Sequence, residues 1–500
     1  MNLATAFRSS AAKHARKAAL FWGDEEYTYG RFEAQTNWLS DRLIRDFRIQ
    51  PGDRVALWLK NCPQFVPALL GVLQAGAVVV PINSFLKLEE ALFILEDSDA
   101  RLLVTDTEAL KLRGQIQERR PALGFFAIED LPEHPHPPTG HGHGPARQES
   151  DLAIIIYTSG TTGRPKGAML SHGNLLCNVE SCRQVLETVD LDRFAIVLPM
   201  FHSFMLCVGI LLPLLTGCSV VVVKSLHPLK NLLDEIRSRG ATILPGIPQF
   251  FRALIHSPIP ADFPVRLCLS GAAPLPVEVL REFNRKYPFP LIEGYGLSEA
   301  SPVVSLNPIR GPWKEGSIGV PIPGVEVAIQ DDHGHGLPDS QVGELCVRGG
   351  NVMLGYWNQP AETAKALRHG WLLTGDVGYR DRDGYFFITD RKKDMLLVNG
   401  INVYPREIEE VLYEFPGVKE AAVIGQPDPR RGEQPLAFVV LDDGATLDER
   451  AILQFLRGKL ADYKVPRRIE SVASLPHNTT GKILKTALRE VYSRKTWSPP

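Results

Sequence analysis

The sequence contains no Cys-x-x-Cys pair, although seven cysteines are spread over its 500 residues. An odd and scattered set of cysteines is typical of a reducing compartment and argues against a disulfide framework or a cysteine-based zinc site. Net charge is lacking too, because 57 acidic and 55 basic side chains leave a formal charge of −2. There is thus no strong field for nucleic acid or an anionic membrane. The N-terminus has no long apolar segment, so we expect no signal peptide.

Uninterrupted apolar runs are also scarce, and the one long candidate is broken. Residues 196–223 are apolar enough to suggest a membrane span, but Pro199, His202, Pro213 and Gly217 interrupt the run. We therefore predict a strand, a buried helix and a second strand there. With 44% hydrophobic and 22% charged residues, the composition is that of a globular protein with a large core. The length allows about three domain-sized units.

Strand and helix signals alternate over the first hundred residues. The predicted strands cover 54–59, 77–81 and 101–104, and the predicted helices cover 61–74 and 88–96. This alternation predicts a parallel sheet covered by helices, with Asn61 as the cap of the first of these helices. Further on, glycine-punctuated alternation in 343–349, 355–357 and 371–376 predicts a small antiparallel β unit.

The last hundred residues predict a separate small α+β unit. A helix after Pro405 carries Ile408 and Leu412 on one face, and apolar strands alternate around Val423 and Phe438. A further helix is expected from about residue 447. The predicted fold class is therefore α/β, with a large N-terminal domain of helix-covered β-sheets plus a small β unit, followed by a small mobile α+β domain.

A histidine-rich segment precedes the most informative stretch of the chain. Between residues 131 and 150, His134, His136, His141 and His143 alternate with prolines and glycines. Clustered histidines can bind metal, but no acidic or cysteine ligands accompany them at regular spacing. We interpret the segment as a solvated connector.

Residues 157–167 read Tyr-Thr-Ser-Gly-Thr-Thr-Gly-Arg-Pro-Lys-Gly and follow the apolar run 152–156. Glycines let the backbone approach a ligand closely, while hydroxyls and Lys166 offer donors and charge to phosphate oxygens. The pattern differs from the Walker loop, because Pro165 precedes the lysine and Gly167 follows it, and it contains no Gly-x-Gly-x-x-Gly. It predicts a polyphosphate-binding loop, with a plain surface loop as the alternative.

The stretch resembles, almost letter for letter, the phosphate loop of the adenylate-forming family. This family comprises acyl-CoA synthetases, luciferases, coumarate ligases and the adenylation domains of peptide synthetases. Further motifs extend the resemblance from near the N-terminus to Lys482, and the closest similarity is to fatty-acid–CoA ligases. In this loop the resemblance implies contacts of ATP with Thr158, Ser159, Gly160, Thr161, Thr162 and Lys166.

Two further segments match the adenine and metal sites of the family. The strand ending at Ser270 leads into small residues, and the resemblance makes Gly271, Ala272 and Ala273 one wall for adenine and the acyl group. The motif at 293–299 supplies further nucleotide contacts, namely Glu293, Gly294, Tyr295, Gly296 and Ser298. Tyr295 offers a face for stacking, while Ser298 and Glu299 offer oxygens to Mg²⁺. The family more often has threonine at position 298, but the hydroxyl is kept.

The resemblance also implies the ribose site and the division into domains. Asp376 and Arg391 match residues that contact ribose, and a carboxylate can accept from two vicinal hydroxyls. Lys393 matches the hinge lysine. The expected units are a large AMP-binding domain at 1–390 with the ATP and acyl sites, a hinge at 391–393, and a small domain at 394–500 that carries the adenylation lysine, Lys482.

An apolar acyl pocket is expected beside the nucleotide. Its proposed lining is Phe201, His202, Phe204, Met205, Gln249, Gly271 and Gly294. The family implies that His202 contacts or gates the acyl group, and we place it with Lys482 and Glu299 among the catalytic candidates. No aspartate occurs between residues 194 and 223, so nothing there would neutralise a substrate ammonium group. An α-amino acid is thus disfavoured, and a fatty or aryl acid is favoured.

The predicted activity is an ATP-dependent acid–CoA ligase that forms acyl-AMP and then acyl-CoA. ATP, Mg²⁺ and CoA are the expected cofactors and co-substrates, with Gly400 beside the CoA channel. Two alternatives stay open: transfer to another acceptor, as in carrier-protein loading or luciferase-like oxidation, and a non-catalytic nucleotide-binding homologue. We expect a stand-alone cytoplasmic enzyme that does not bind nucleic acid. Homodimer formation and peripheral membrane association are left open.

Overall fold

The computed structural model describes residues 1–135, 144, 146–158, 165–226, 228–260, 262–428, 430–478 and 481–495, with side chains as far as residue 492. The described helices are α1 (Leu3–His14), α2 (Tyr29–Arg45), α3 (Phe65–Gln74), α4 (Leu88–Asp97), α5 (Thr107–Leu110), α6 (Arg113–Arg119), α7 (His172–Val185), α8 (Leu212–Thr216), α9 (Leu229–Ser238), α10 (Pro248–Ile255), α11 (Val277–Lys286), α12 (Pro360–Ala366), α13 (Pro405–Tyr413), α14 (Glu449–Arg457) and α15 (Lys485–Lys495). A π-helical segment, Met205–Leu211, runs directly into α8.

The longest sheet carries the strands that end at the cleft described below. Its order is β15 (Val320–Pro321), β14 (Val303–Leu306), β13 (Leu291–Gly296), β12 (Leu267–Ser270), β11 (Ile243–Gly246), β9 (Arg193–Ile196), β10 (Ser219–Val222), β1 (Ala18–Trp22) and β2 (Glu25–Thr28). The strands from β13 to β1 are parallel, whereas β14, β15 and β2 are antiparallel to their neighbours.

A second sheet holds the hairpin on either side of the predicted phosphate loop. Its order is β18 (Gly355–Tyr356), β8 (Lys166–Ser171), β7 (Leu152–Thr158), β4 (Val78–Pro81), β3 (Arg54–Trp58), β5 (Ala100–Thr105) and β6 (Gly124–Ala127). Strands β7 and β8 pair antiparallel from Leu152↔Ser171 to Thr158↔Lys166. Ser171 then caps α7 by accepting from the backbone N–H of Asn174, so this helix starts where the hairpin ends.

Two smaller sheets follow along the chain. The third contains β16 (Val325–Gln330), β17 (Gly343–Gly349), β20 (Trp371–Arg380), β19 (Leu367–Arg368) and β21 (Phe386–Arg391). The fourth contains β23 (Ile401–Val403), β22 (Leu396–Val398), β25 (Gly432–Leu441), β24 (Val418–Asp428) and β26 (Ile469–Ser471). The fourth sheet and α13 to α15 enclose hydrophobic cores of their own, separate from the main core. A large domain and a smaller C-terminal domain are thus confirmed.

Most predicted elements are found, with two corrections. Asn61 does not cap α3, because its amide group bridges the carbonyl of Leu198 and the N–H of Met200, and the helix begins at Phe65. Gly355 and Tyr356 do not belong to the small antiparallel unit, since they pair with β8 instead. The broken apolar run forms β9, helix and β10 as predicted. Among the described residues, no helix combines the length and apolar character needed to cross a bilayer.

Candidate active site

A cleft of about 290 Å³ separates the large domain from the small one. It opens beyond the ends of the adjacent parallel strands β12 and β13, which is where open α/β sheets bind ligands. Its lining brings together predicted residues from five parts of the chain, including Ala272, Ala273, Glu293, Gly294, Tyr295, Gly296, Asp376, Arg391, Lys393 and Lys482. The sequence-predicted adenine wall, ribose site and adenylation lysine therefore face one space.

The predicted ribose site is a compact charged corner. Asp376 and Arg391 are register partners on β20 and β21, and the Arg391 Nε lies 2.9 Å from Asp376 Oδ1. The hydroxyl of Tyr295 donates to Asp376 Oδ2 at 2.5 Å. Burial, reinforced by the neighbouring carboxylate, raises the pKa of Tyr295 well above its usual value, so its hydroxyl stays protonated. The corner presents a carboxylate whose orientation is fixed from two sides.

Lys482 enters the cleft from a tight loop of the small domain. The backbone N–H of Lys482 donates to Asn478 Oδ1 at 2.9 Å, and the N–H of Asn478 donates to the Lys482 carbonyl at 2.9 Å. Burial, followed by the positive charge of Arg391, lowers the pKa of Lys482 to about 8, while Asp376 opposes this effect. The predicted adenylation lysine thus stands beside the predicted ribose site.

Glu299 lies where two hydroxyl groups converge. Its Oε1 accepts from Thr158 Oγ1 at 3.3 Å and from the Tyr356 hydroxyl at 3.0 Å. Nearby, the Ser298 hydroxyl is 2.9 Å from that of Ser203. A carboxylate with hydroxyls is the oxygen-rich set that Mg²⁺ prefers, so these residues fit the predicted metal. The described residues contain no cluster of three or more His, Cys, Asp or Glu side chains that could hold a metal.

The phosphate-loop lysine has a carboxylate partner that sequence reasoning missed. The ammonium group of Lys166 is in close contact with Glu362 Oε2 and lies 5.2 Å from the centre of the Tyr356 ring. Glu362 also pairs with Lys365 at 2.6 Å. Hydrogen bonds from the two lysines lower the pKa of Glu362 to about 2. Residues 159–162, predicted to contact ATP, lie outside the described residues.

The predicted acyl pocket is only partly assembled at the cleft. The ring of Phe204 lies against Gly271, where an added Cβ would be 3.4 Å from the ring. Phe201 packs edge-on against Phe85 at 6.4 Å. Met205, by contrast, is fully buried in the main core. Of the residues predicted to line the acyl pocket, Gln249 and Gly294 line the cleft, whereas Phe204 and Gly271 contact each other outside its lining.

His202 differs from an ordinary surface histidine. Its Nδ1 accepts from the Phe204 N–H at 3.3 Å, and burial lowers its pKa to about 4. It is therefore neutral at pH 7 and can orient a group without adding positive charge.

Glu293 and Gln249 have contacts that the sequence did not indicate. Glu293 Oε1 accepts from the Leu275 N–H at 3.0 Å, which ties the adenine wall to β13, and burial raises its pKa to about 7. Gln249 was predicted to line the acyl pocket. It lines the cleft, and its amide donates to the carbonyl of Gly481 in the small domain at 2.6 Å.

The predicted hinge residue precedes β22 along the chain, and the predicted CoA-channel residue follows it. Lys393 follows β21 in a turn closed by hydrogen bonds from Asp394 and Met395 to the Arg391 carbonyl, and it lines the cleft. Gly400 lies in the exposed turn between β22 and β23, with a φ of +78°. An added Cβ there would meet no described atom within 4 Å. The structure does not bring Gly400 to the cleft.

Comparison with known proteins agrees with this geometry. The family described as AMP-binding enzyme matches residues 7–357, and its C-terminal domain matches residues 407–482. The chain therefore belongs to the AMP-binding enzyme family. It is 38% identical over 485 residues to a long-chain-fatty-acid–CoA ligase of Bacillus subtilis (strain 168), covering 88% of this chain and 86% of the relative. It is also 38% identical over 495 residues to a feruloyl-CoA synthase of an Amycolatopsis species, covering 96% and 97%.

A solved relative adds information on the domain arrangement. The ATP-bound crystal structure of MatB from Rhodopseudomonas palustris is 33% identical and superposes with a TM-score of 0.90, covering 98% of this chain and 99% of that one. The apo crystal structure of the same protein superposes with a TM-score of only 0.78. This chain is thus more similar to the ATP-bound form than to the apo form.

Proposed function

We propose that this protein is an AMP-forming acid–CoA ligase. A carboxylate attacks the α-phosphorus of ATP, which gives acyl-AMP and releases pyrophosphate. The thiol of CoA then attacks the acyl carbon, and AMP leaves. The observation that carries this proposal is the convergence of Asp376, Arg391, Tyr295 and Lys482 in one cleft.

The first half-reaction is a problem of charge, because two anions must meet. Lys482 would neutralise charge that develops on the α-phosphate, while Lys166 would meet the outer phosphates. A well-placed donor or cation of this kind is typically worth about 3–4 kcal/mol of barrier. Mg²⁺ held through Glu299 and Ser298 would supply further neutralisation of phosphate charge. Asp376 and Arg391 would hold the ribose, and the Tyr295 ring would face adenine.

The second half-reaction needs a different arrangement, because the pantetheine arm must reach the acyl carbon. We assign residues 391–393 as the hinge between a domain at 1–390 and one at 394–500. Rotation about Lys393 would withdraw Lys482 and bring Gly400 to the cleft. Similarity to an ATP-bound relative supports assigning the present arrangement to adenylation, and the absence of Gly400 from the residues that line the cleft agrees with a later role.

The acid is proposed to be a fatty or aryl carboxylic acid. Phe201 and Phe204 offer apolar surface, and neutral His202 offers no counter-charge to a second carboxylate. Relatives named as long-chain-fatty-acid–CoA ligase and feruloyl-CoA synthase support both classes. We place the reaction in the cytoplasm, where ATP and CoA are available. A panel of carboxylic acids assayed by pyrophosphate release would identify the acid, and an AMP-release assay with CoA or other thiols would identify the acceptor.

Two substitutions test the proposal by separating the half-reactions. Lys482→Ala should abolish acid-dependent pyrophosphate release yet preserve thioester formation from supplied acyl-AMP. Gly400→Leu should do the reverse, because its side chain would obstruct the thiol. In the present arrangement an added Cβ meets no described atom within 4 Å, although the φ of +78° disfavours a side chain there. If both variants lose both half-reactions to the same extent, the assignment of two arrangements is wrong.

A further inference from the structure

Helix α10 of the large domain is a docking edge for the small domain. Gln249, in its first turn, donates from Nε2 to the carbonyl of Gly481 at 2.6 Å. Arg252, three residues later on the same helix, donates to the carbonyl of Val418 at 3.2 Å and to that of Lys419. These two side chains therefore contact two separate segments of the small domain, the loop before Lys482 and the start of β24.

The Gln249 contact is made to the residue directly before Lys482. Gly481 has a φ of +76°, a region that favours glycine. An added Cβ would lie 2.6 Å from Ile247 Cδ1 and 2.8 Å from Gln249 Oε1, so the loop backbone is pressed closely against the start of α10. Because Asn478 closes the loop from the other side, a shift of Gly481 would carry Lys482 with it.

The hydrogen bond is suited to a contact that must form and break. Gln249 Oε1 is buried and has no hydrogen-bond partner among the described residues. An unpaired buried oxygen costs free energy, which offsets part of the gain from the bond to Gly481. Departure of the small domain would expose both amide atoms to water, so the contact can direct the loop without locking it in place.

We propose that Gln249 is a positioning residue for acyl-AMP formation. By holding the Gly481 carbonyl, it sets where the Lys482 ammonium group stands relative to Asp376 and Arg391. This inference rests on the proposed function, because it presumes that Lys482 acts in the first half-reaction. It reassigns Gln249 from the acyl pocket to the interface between the domains.

The test is Gln249→Leu, which keeps the bulk of the side chain but removes the donor. We expect kcat of acyl-AMP formation to fall roughly 3- to 10-fold, the range for loss of one neutral hydrogen bond. The KM for the acid and the rate of thioester formation from supplied acyl-AMP should not change. The matched control is Gln184→Leu, since the Gln184 amide bonds Glu180 within its own helix, and both half-reactions should be unaffected.

A second variant distinguishes the hydrogen bond from packing. Gln249→Glu can donate to the Gly481 carbonyl only when its carboxyl group is protonated, and the ionised form repels that oxygen. Its activity relative to wild type, measured at each pH, should therefore be highest at low pH and fall as the pH rises. A ratio that is constant with pH would overturn the proposal.

The remaining outcomes separate this inference from the proposed function. If Gln249→Leu raises the KM for the acid with kcat unchanged, Gln249 lines the acyl pocket and the inference is wrong. If Lys482→Ala abolishes acyl-AMP formation while Gln249→Leu has no effect, the proposed function stands and the inference is wrong. If Lys482→Ala retains acyl-AMP formation, the role assigned to Lys482 is wrong, and the inference fails with it. The proposed function itself fails if the wild-type protein releases no pyrophosphate with any carboxylic acid.

Discussion

The Lys482 ammonium group shows how a single residue is tuned by the residues around it. Desolvation and the adjacent Arg391 oppose its charge, and their effect brings its pKa to about 8. A lysine on an open surface would stay protonated well above this pH. In the free enzyme, the positive charge of Lys482 that is proposed to assist adenylation is therefore available at neutral pH and is lost in mild alkali.

This titration predicts a pH dependence of the first half-reaction. The pKa of Lys482 is depressed, so the required proton is lost as the pH rises through about 8. We expect kcat/KM for ATP in acyl-AMP formation to fall over that range, because this parameter reports the free enzyme. Lys482→Arg should move this decline in kcat/KM to higher pH, since the guanidinium group stays charged. If kcat/KM declines over the same pH range in Lys482→Arg, the titrating group is not Lys482.

Glu293 predicts a pH dependence of stability. Its pKa in the folded protein, about 7, lies above the ordinary value of 4.5 because the side chain is buried. The folded state thus binds more protons than the unfolded state between those values, and stability falls as the pH rises through this window. Glu293→Gln should remove the free-energy cost of ionising this buried carboxyl group. It should therefore raise the melting temperature at pH 8 but not at pH 5. The corresponding gain in the free energy of unfolding at pH 8 is at most about 3 kcal/mol.

A matched carboxylate serves as the control for this measurement. Glu326 is exposed on β16, and its hydrogen bond to Arg348 lowers its pKa. Glu326→Gln should therefore give no gain in melting temperature at pH 8. An equal gain in both variants would mean that general charge reduction, rather than burial of Glu293, is responsible.

At the scale of elements, the β7–β8 hairpin depends on a helix far away in the sequence. Strand β8 begins at Lys166, whose ammonium group contacts Glu362 in α12, and β18 pairs with the outer edge of the hairpin. This arrangement places a carboxylate next to the cation that is proposed to meet the phosphates. On the proposed assignment, anionic ATP would therefore compete with Glu362 for Lys166.

We expect Glu362→Gln to lower the KM for ATP about two- to fivefold, because the variant removes a competing negative charge at a partly buried cation. The effect should shrink as salt concentration rises. Steady-state kinetics of pyrophosphate release at low and high ionic strength would measure it. Glu108→Gln is the control, since Glu108 pairs with the exposed Lys111. A higher KM for ATP in Glu362→Gln would instead mean that Glu362 orients Lys166.

At the scale of the whole molecule, the small domain follows the proposed hinge and packs around hydrophobic cores of its own. The small domain has its own core around Ile408, Val423 and Ile452, so its attachment depends on interface contacts such as those of α10. Lys392 and Lys393 lie exposed in the connecting turn. A ligand that binds both domains should therefore hold the turn closed.

This arrangement predicts protection from trypsin. A non-hydrolysable acyl-AMP analogue should slow cleavage after Lys392 and Lys393, because cleavage requires local opening of the turn. Cleavage after Lys111, in the large domain, should be unaffected. The protection should weaken in Lys482→Ala, which loses the contact between the small domain and the ligand. Equal protection at Lys111 would indicate a general stabilisation rather than closure at the hinge.

Residue type and periodicity were enough to predict the local features of this protein. Continuous apolar runs predicted β3, β4 and β5 to within two residues, because a parallel strand that is buried on both faces needs a continuous apolar segment. Motifs that resemble those of a known family predicted Asp376, Arg391 and Lys482 as site residues, and they do face one cleft. The positions that carry the chemistry could thus be named before their arrangement was known.

The contacts between distant segments were decided by the tertiary structure alone. Glu362 beside Lys166, Ser203 beside Ser298 and Gln249 beside Gly481 join residues separated by 196, 95 and 232 positions. No local pattern indicates which glutamate, serine or glutamine will be the partner, because the pairing depends on how whole sheets and domains pack. The pKa values of Lys482 and Glu293 belong with these contacts, since burial and neighbouring charge exist only once the chain has folded.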